Sequence, residues 1–201
     1  MGKMMPSIFL TKAPMRPLPT HSSSAEVWGG TVIGIVQGME AAGYPEMKLR
    51  DLLRICNLPV IEVDGWYALN RFLLFLKEAE AAFGADALRA GGRAIPTSAK
   101  FPPDLDSLTR GLQMLDVAYQ VNHRKGAIGR YRCTELTDGR AVMICENPYP
   151  CALDQGIVER LIAEFVPSGL QGTVTHVAGK PCRCQGGRAC HLEVRWWHGE
   201  P

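Results

Sequence analysis

Three cysteines fall within nine residues near the C-terminal end, in Cys182-Arg183-Cys184-Gln185-Gly186-Gly187-Arg188-Ala189-Cys190. A fourth thiol, Cys151, lies upstream in Pro148-Tyr149-Pro150-Cys151, and His176 precedes the cluster by six residues. Soft thiolates close together in sequence, with Gly186 and Gly187 allowing a tight turn, are what a tetrahedral zinc site needs. The spacing is not that of a zinc finger or ribbon, because Cys182-x-Cys184 is shorter than the usual two-residue gap. Buried free thiols, a redox pair or another metal are the competing readings of the same residues. A closed set of four ligands leaves no position for water or substrate, so a metal here is expected to be structural rather than catalytic.

The elements that must position these residues are legible in outline. Period-two segments at Gly129–Glu135 and Arg140–Cys145 flank Thr137-Asp138-Gly139, and Asp-Gly is a strong hairpin signal. A helix is expected from Leu153 to Phe165, with Ile157, Val158, Leu161, Ile162 and Phe165 on its buried face. A third strand, Gly172–Val177, leads into the cysteine turn and a fourth, Cys190–Trp197, leaves it. Trp196 and Trp197 are adjacent on that strand and so point to opposite faces.

Upstream the pattern is helical. Val32, Ile33, Ile35, Val36 and Met39 fit a helix within Val27–Gly43, and Gly30, Gly34 and Gly38 give it a smooth face for close helix–helix or dimer contact. A short helix is expected over Lys48–Leu58, with Leu49, Leu52, Leu53, Ile55 and Cys56 inward, Cys56 as a core thiol. Asp64 suits the N-cap of a longer helix carrying Leu69, Phe72, Leu73 and Leu76, which ends at Phe83-Gly84. A turn at Asp86–Arg89 precedes Gly91-Gly92, and a connector from Ile95 to Pro103 leads to a helix from Asp104 to Val121. The fold class is therefore α+β, an antiparallel sheet packed by helices, with an N-terminal helical region. The expected organisation is a mobile arm over 1–25, a helical and dimerising region over 26–95, and an α+β ligand-binding domain with the cysteine cluster over 96–201.

Composition narrows the function. The chain has 201 residues, 46% hydrophobic and 21% charged, with a formal net charge of +2. That near balance argues against direct nucleic-acid binding, and no apolar run approaches the ~20 residues of a membrane span. Seven cysteines without an export signal point to a reducing compartment, with the cytoplasm as the expectation. No Gly-x-Gly-x-x-Gly, Gly-x-Ser-x-Gly or His-Glu-x-x-His motif marks an enzyme. His123, beside Tyr119 and just before the first strand, reads either as a surface-loop residue or as a pocket histidine, even a haem ligand. Trp66 and Phe72 read as core residues or as the wall of an apolar cavity. Arg124, Lys125 and Arg130 suit a solvated face or an acidic ligand.

The segment from Cys182 to Cys190, running into Leu192-Glu193-Val194, together with Pro150-Cys151 and Gly156 at the preceding helix, resembles the 4-vinyl-reductase-type small-molecule-binding domain. Its superfamily includes haem–nitric-oxide sensors, vesicle-tethering subunits and the sensory domains of aromatic-responsive activators. The resemblance covers roughly residues 100 to 198. It implies a structural zinc on Cys151, Cys182 and Cys190. The glutamate that completes the set in the aromatic sensors is replaced by Gly179 here, leaving Cys184 or His176 as the fourth ligand, with Cys184 slightly favoured. The resemblance further implies a sensor for a small hydrophobic or aromatic molecule, read by an output partner not visible in this sequence, and the N-terminal helices are expected to make it a homodimer. Its alternative is a haem or tetrapyrrole protein, a gas sensor or pigment-synthesis accessory, with His123 or His176 as axial ligand. An enzyme acting on vinyl tetrapyrroles has only the family name behind it.

Overall fold

The computed structural model describes residues 24–102, 105–165 and 170–198. The arm expected over 1–25 lies outside these up to residue 23; Ser24 donates to the Lys125 carbonyl at 2.8 Å, and Ala25 is buried. The fold is α+β, as expected: six α-helices and two antiparallel sheets among the described residues.

The first helix is entered from a short strand, β1 (Glu26–Trp28), and α1 runs Gly29–Ala41. No side chain caps α1; instead the amides of Trp28, Gly29 and Gly30 donate to the carbonyls of Asn122, Gly65 and Val63 at 2.8–2.9 Å, which satisfies donors that a helix start leaves open. Helix α2 (Glu46–Ile55) buries Leu49 and Leu53, and Cys56 behind it is a core thiol. Ile55, expected inward, is 68% exposed because the helix ends there and the chain turns through Asn57 in the left-handed region (φ 58°). Strand β2 (Trp66–Ala68) feeds α3 (Leu69–Phe83), whose buried Leu69, Phe72, Leu73, Leu76 and Ala79 follow the helical period. Its N-cap is Ala68, not Asp64, which lies in the turn before β2.

Helix α4 (Ala85–Ser98) corrects the expected turn and connector: it runs straight through Gly91-Gly92 and ends past Pro96. These glycines are crossing points rather than breaks. A Cβ at Gly91 would sit 2.8 Å from Ile35 of α1, and one at Gly92 would sit 2.2 Å from the Leu153 carbonyl on the other side. The glycine face of α1 meets the same helix, since a Cβ at Gly38 would come 2.7 Å from Ala94 and one at Gly34 1.8 Å from Ser98. The helix–helix contact expected of that face is made within the chain, and backbones approach closely because side chains are missing there.

Helix α5 (Leu108–Val121) starts later than expected: Ser107 is its N-cap, accepting the Arg110 amide at 3.3 Å, and Asp104 lies outside the described residues. Strand β3 (His123–Arg124) returns to pair with β1, completing a three-stranded sheet ordered β2-β1-β3. Strands of two or three residues carry no periodic signal, so the sequence gives no sign of this sheet.

The hairpin is where the Asp-Gly signal put it: β4 (Arg130–Thr137) and β5 (Arg140–Glu146), turning at Asp138-Gly139 with Gly139 at φ 76°. Then come α6 (Cys151–Phe165), β6 (Leu170–His176), a single 3-10 turn at Arg183–Gln185, and β7 (Cys190–His198). The sheet order is β4-β5-β7-β6, antiparallel throughout. Trp196 packs against the core and Trp197 is 42% exposed, the opposite facings that adjacency on a strand requires. One hydrophobic cluster runs from Ala25 to Val194, with α4 packed on both α1 and α6. Among the described residues no helix is long and apolar enough to cross a membrane.

Candidate functional site

The topology gathers the thiols from four chain positions. Cys151 opens α6, His176 closes β6, Cys182 precedes the 3-10 turn and Cys190 opens β7. Gly187 closes the loop, its amide donating to the Cys182 carbonyl at 2.8 Å, and any Cβ there would lie 2.6 Å from the Pro181 carbonyl. The Cys151 sulfur lies 3.0 Å from Cys182 and 3.1 Å from Cys190, and Cys182 lies 3.3 Å from Cys190 and 3.3 Å from His176 Nε2. Ligand atoms of Cys151, His176, Cys182 and Cys190 all fall within 4.8 Å of one another. Cys184 is exposed, and its sulfur lies 3.2 Å from that of Cys182. His176 therefore joins the three cysteines in this group, and Cys184 stands at its edge. All four sulfurs are free thiols at distances far beyond a disulfide bond. Three soft sulfurs and one imidazole in a mostly buried shell fit zinc by donor chemistry.

Polar residues not singled out in the sequence surround this group. The Arg183 backbone amide and Nε both donate to the Cys190 sulfur, at 3.4 and 3.3 Å. Its two terminal nitrogens reach Asp154, and the backbone and side-chain oxygens of Asn147. The hydrogen bond from Cys151 and the Arg183 charge bring the Cys190 thiol down to about 3, against burial, while burial first of all pushes Cys182 up to about 11. The Cys190 sulfur is thus surrounded by donors already in place. Gln155 accepts from Arg89 at 2.7 Å and faces His176 Nδ1 at 3.5 Å. The signals available were weak: Asp154 is a charge on an otherwise apolar stretch one turn after Cys151, and Arg183 lies between two candidate ligands.

A second site lies where α5 meets the hairpin. A cavity of about 30 Å³ is walled by Thr31, Leu115, Tyr119, His123, Tyr131 and Tyr149, among others. His123 is buried, not a surface-loop residue. Its Nδ1 lies 2.7 Å from the Tyr119 carbonyl, which only accepts, so Nδ1 carries the proton; Nε2 then accepts the Tyr149 hydroxyl at 2.5 Å. Burial lowers its pKa to about 4, opposed by the Tyr119 carbonyl, so the ring is neutral near pH 7. Tyr119 itself donates to the Ile128 carbonyl at 2.6 Å. Of the other expected pocket residues, Phe72 is fully buried behind the wall, edge-on to Tyr149 at 6.1 Å, and does not line the cavity. Trp66 lies away from it, under Arg124 at 4.3 Å and Lys100 at 5.7 Å. Tyr119 and His123, both pocket candidates in the sequence, stand at this wall; Tyr131 and Tyr149 join them from β4 and the β5–α6 junction, and no local pattern links those positions.

With both sites described, the solved structures place the architecture. An H-NOX protein from S. oneidensis in its Fe(II)NO ligation state superimposes with a TM-score of 0.63 over 84% of this chain and 99% of its own, at 14% identity. The unliganded Fe(II) H-NOX protein from K. algicida does so with a TM-score of 0.61 over 87% and 98%, at 12% identity. The chain therefore has the fold of these H-NOX proteins. No family model matches the sequence, and no curated protein matches it significantly, so the 4-vinyl-reductase resemblance rests on its own residues.

That fold implies haem, and the residues here do not fit one as packed. The cavity holds one or two water-sized molecules, whereas pockets for larger ligands run to ~300 Å³ and more. Both ring nitrogens of His123 are already bonded, and His176 Nε2 is committed to the cysteine group.

Proposed function

We propose that this chain is a small-molecule sensor domain built on the H-NOX fold, with its ligand site at His123 and a structural zinc on Cys151, His176, Cys182 and Cys190. The observation that carries it is the His123–Tyr149 hydrogen bond of 2.5 Å at the wall of an apolar cavity. A small hydrophobic or aromatic molecule with one hydrogen-bonding group competes with Tyr149 for the neutral Nε2, and displacing Tyr149 widens the roughly 30 Å³ cavity so that its apolar part can enter. Tyr149 is two residues before Cys151, so its displacement bears on the start of α6. The zinc would tie that helix start to the β6–β7 connection, so the wall has a firm reference to move against. Binding shifts the helices relative to the sheet, and an output partner reads the change. Dimerisation, if part of this readout, uses surfaces other than the glycine face of α1, which α4 occupies.

A second reading is haem binding for gas sensing, and the fold comparison favours it. His123 gives up a partner in either reading, so what weighs against haem is size: a macrocycle needs the roughly 30 Å³ cavity to open far more widely than a small molecule does. Metal analysis and an absorption spectrum of the purified protein, followed by haemin titration, separate the two. About one zinc per chain with no visible band, before or after haemin, supports the proposal. A stoichiometric Soret band that His123→Ala abolishes overturns it in favour of haem.

A further inference from the structure

The zinc group and the cavity are joined by a buried charged pair, one member of which, Arg183, also donates to the Cys190 sulfur. Asp154 lies on α6 one turn beyond Cys151 and is fully buried. Its Oδ1 accepts the Tyr131 hydroxyl at 2.5 Å and the Asn147 amide at 3.3 Å, and its Oδ2 accepts Arg183. Arg183 at the same time holds the Cys190 sulfur and both oxygens of Asn147. Asn147 Oδ1 also accepts the Tyr149 amide at 2.9 Å. Tyr131 packs edge-on against Tyr119 at 5.1 Å, and Tyr119 lies 4.4 Å from the His123 ring. Two routes thus run from one guanidinium to the two residues that grip His123: one through Asp154 and Tyr131 to Tyr119, the other through Asn147 to Tyr149.

We propose that Arg183 and Asp154 are positioning residues that couple the cysteine group to the cavity, so that each site senses the state of the other. The physical reason is that a buried guanidinium–carboxylate pair cannot be left half made: removing one charge's partner is far more costly than moving both together. When the Cys190 sulfur shifts, Arg183 shifts with it. Asp154 must follow or lose its counter-charge, and Tyr131 and Asn147 follow Asp154. The pair at its centre is shielded from solvent, Asp154 being 0% exposed and Arg183 12%, so little water can absorb the movement. Coupling by such a contiguous chain is reciprocal, so a molecule displacing Tyr149 alters the hold on the metal by the same factor that metal loading alters its binding.

This inference rests on the reading of the cysteine group as a metal site, and its test separates the two. The ring nitrogens of His123 are observed by NMR in histidine-labelled protein at pH 7.5, before and after zinc removal by a chelator, with metal content measured in parallel. In the wild type, zinc removal is expected to move the His123 Nε2 resonance. In Arg183→Met, which cuts both routes, the movement is expected to shrink by more than half, and in Tyr131→Phe, which keeps the buried charge pair and the Asn147 route, to shrink by a smaller but measurable amount. Arg183→Lys should restore part of it. An unmoved resonance in wild type after zinc has left overturns the coupling, as does a full response in both variants. If the protein holds no zinc, the metal reading falls, and Cys182→Ser becomes the perturbation of the group. A His123 shift in that variant, lost in the Arg183→Met background, sustains the coupling, and no shift overturns it.

Discussion

His123 Nε2 and the Tyr149 hydroxyl lie 2.5 Å apart with the histidine proton committed to the opposite nitrogen, so the bond runs from tyrosine to histidine. This makes His123 an acceptor at the cavity wall and Tyr149 the group any ligand must displace. Because burial holds the ring neutral, protonation breaks the arrangement.

Stability is therefore expected to fall with acid through this one residue. The folded pKa of about 4 lies below the ordinary 6.5, so the unfolded chain takes up a proton first. The contribution is complete above pH 6.5, declines as pH falls and is lost near pH 4, amounting to about 3 kcal/mol. Urea unfolding of wild type and His123→Gln at pH 7.5 and 4.5 checks this: the wild-type advantage should shrink by about that amount, and a constant difference would refute it.

Metal binding should depend on the four grouped residues unequally from Cys184. Cys182→Ser and His176→Ala are expected to weaken zinc by at least tenfold and lower the melting temperature, because structural metal binding is folding free energy. Cys184→Ser should leave stoichiometry at about one, since its sulfur is exposed and outside the group. Chelator competition on the three variants reads the order. Retention of zinc by His176→Ala with its loss by Cys184→Ser would reverse the assignment.

Two helix glycines should behave oppositely. A Cβ at Gly156 would lie 2.1 Å from the Arg89 carbonyl, a backbone atom that cannot swing away, so Gly156→Ala is expected to cost about 2–4 kcal/mol. At Gly111 the nearest atom is the flexible end of Leu161, at 3.3 Å, and alanine favours the helix by about 1 kcal/mol. Gly111→Ala should be neutral or stabilising. Thermal or urea denaturation distinguishes them directly.

The Asp154 network should be fragile on one side only. Asp154→Asn leaves the buried Arg183 without its counter-charge and is expected to destabilise by about 3 kcal/mol or more, whereas Tyr131→Phe removes one hydrogen bond at about 1 kcal/mol. Comparable losses in both, by chemical denaturation, would show the pair is not buried as described.

Much of the fold was readable because its elements carry local signatures. The β4–β5 hairpin announces itself through Asp138-Gly139, and α3, α5 and α6 through apolar residues at helical spacing. Helix α4 was lost because Gly91-Gly92 looks like a break in one dimension. In three dimensions it is the point where two helices cross the same strip of backbone. The small sheet was lost because its strands are too short to have a period.

The sequence by itself determined the chemistry available: soft ligands clustered around a glycine turn, an apolar scaffold of α+β type, and one histidine between a helix and a strand. Tertiary structure decided how that chemistry is used. It drew His176 rather than Cys184 into the thiol group, because antiparallel pairing of β6 with β7 places His176 opposite Leu192, two residues from Cys190. It buried His123 between Tyr119 and Tyr149, which are 30 residues apart in number and adjacent only through the packing of α5 on the hairpin. A ligand's type is a property of its side chain, but its partners are set by which backbones the core holds together, and that is not written at any one position.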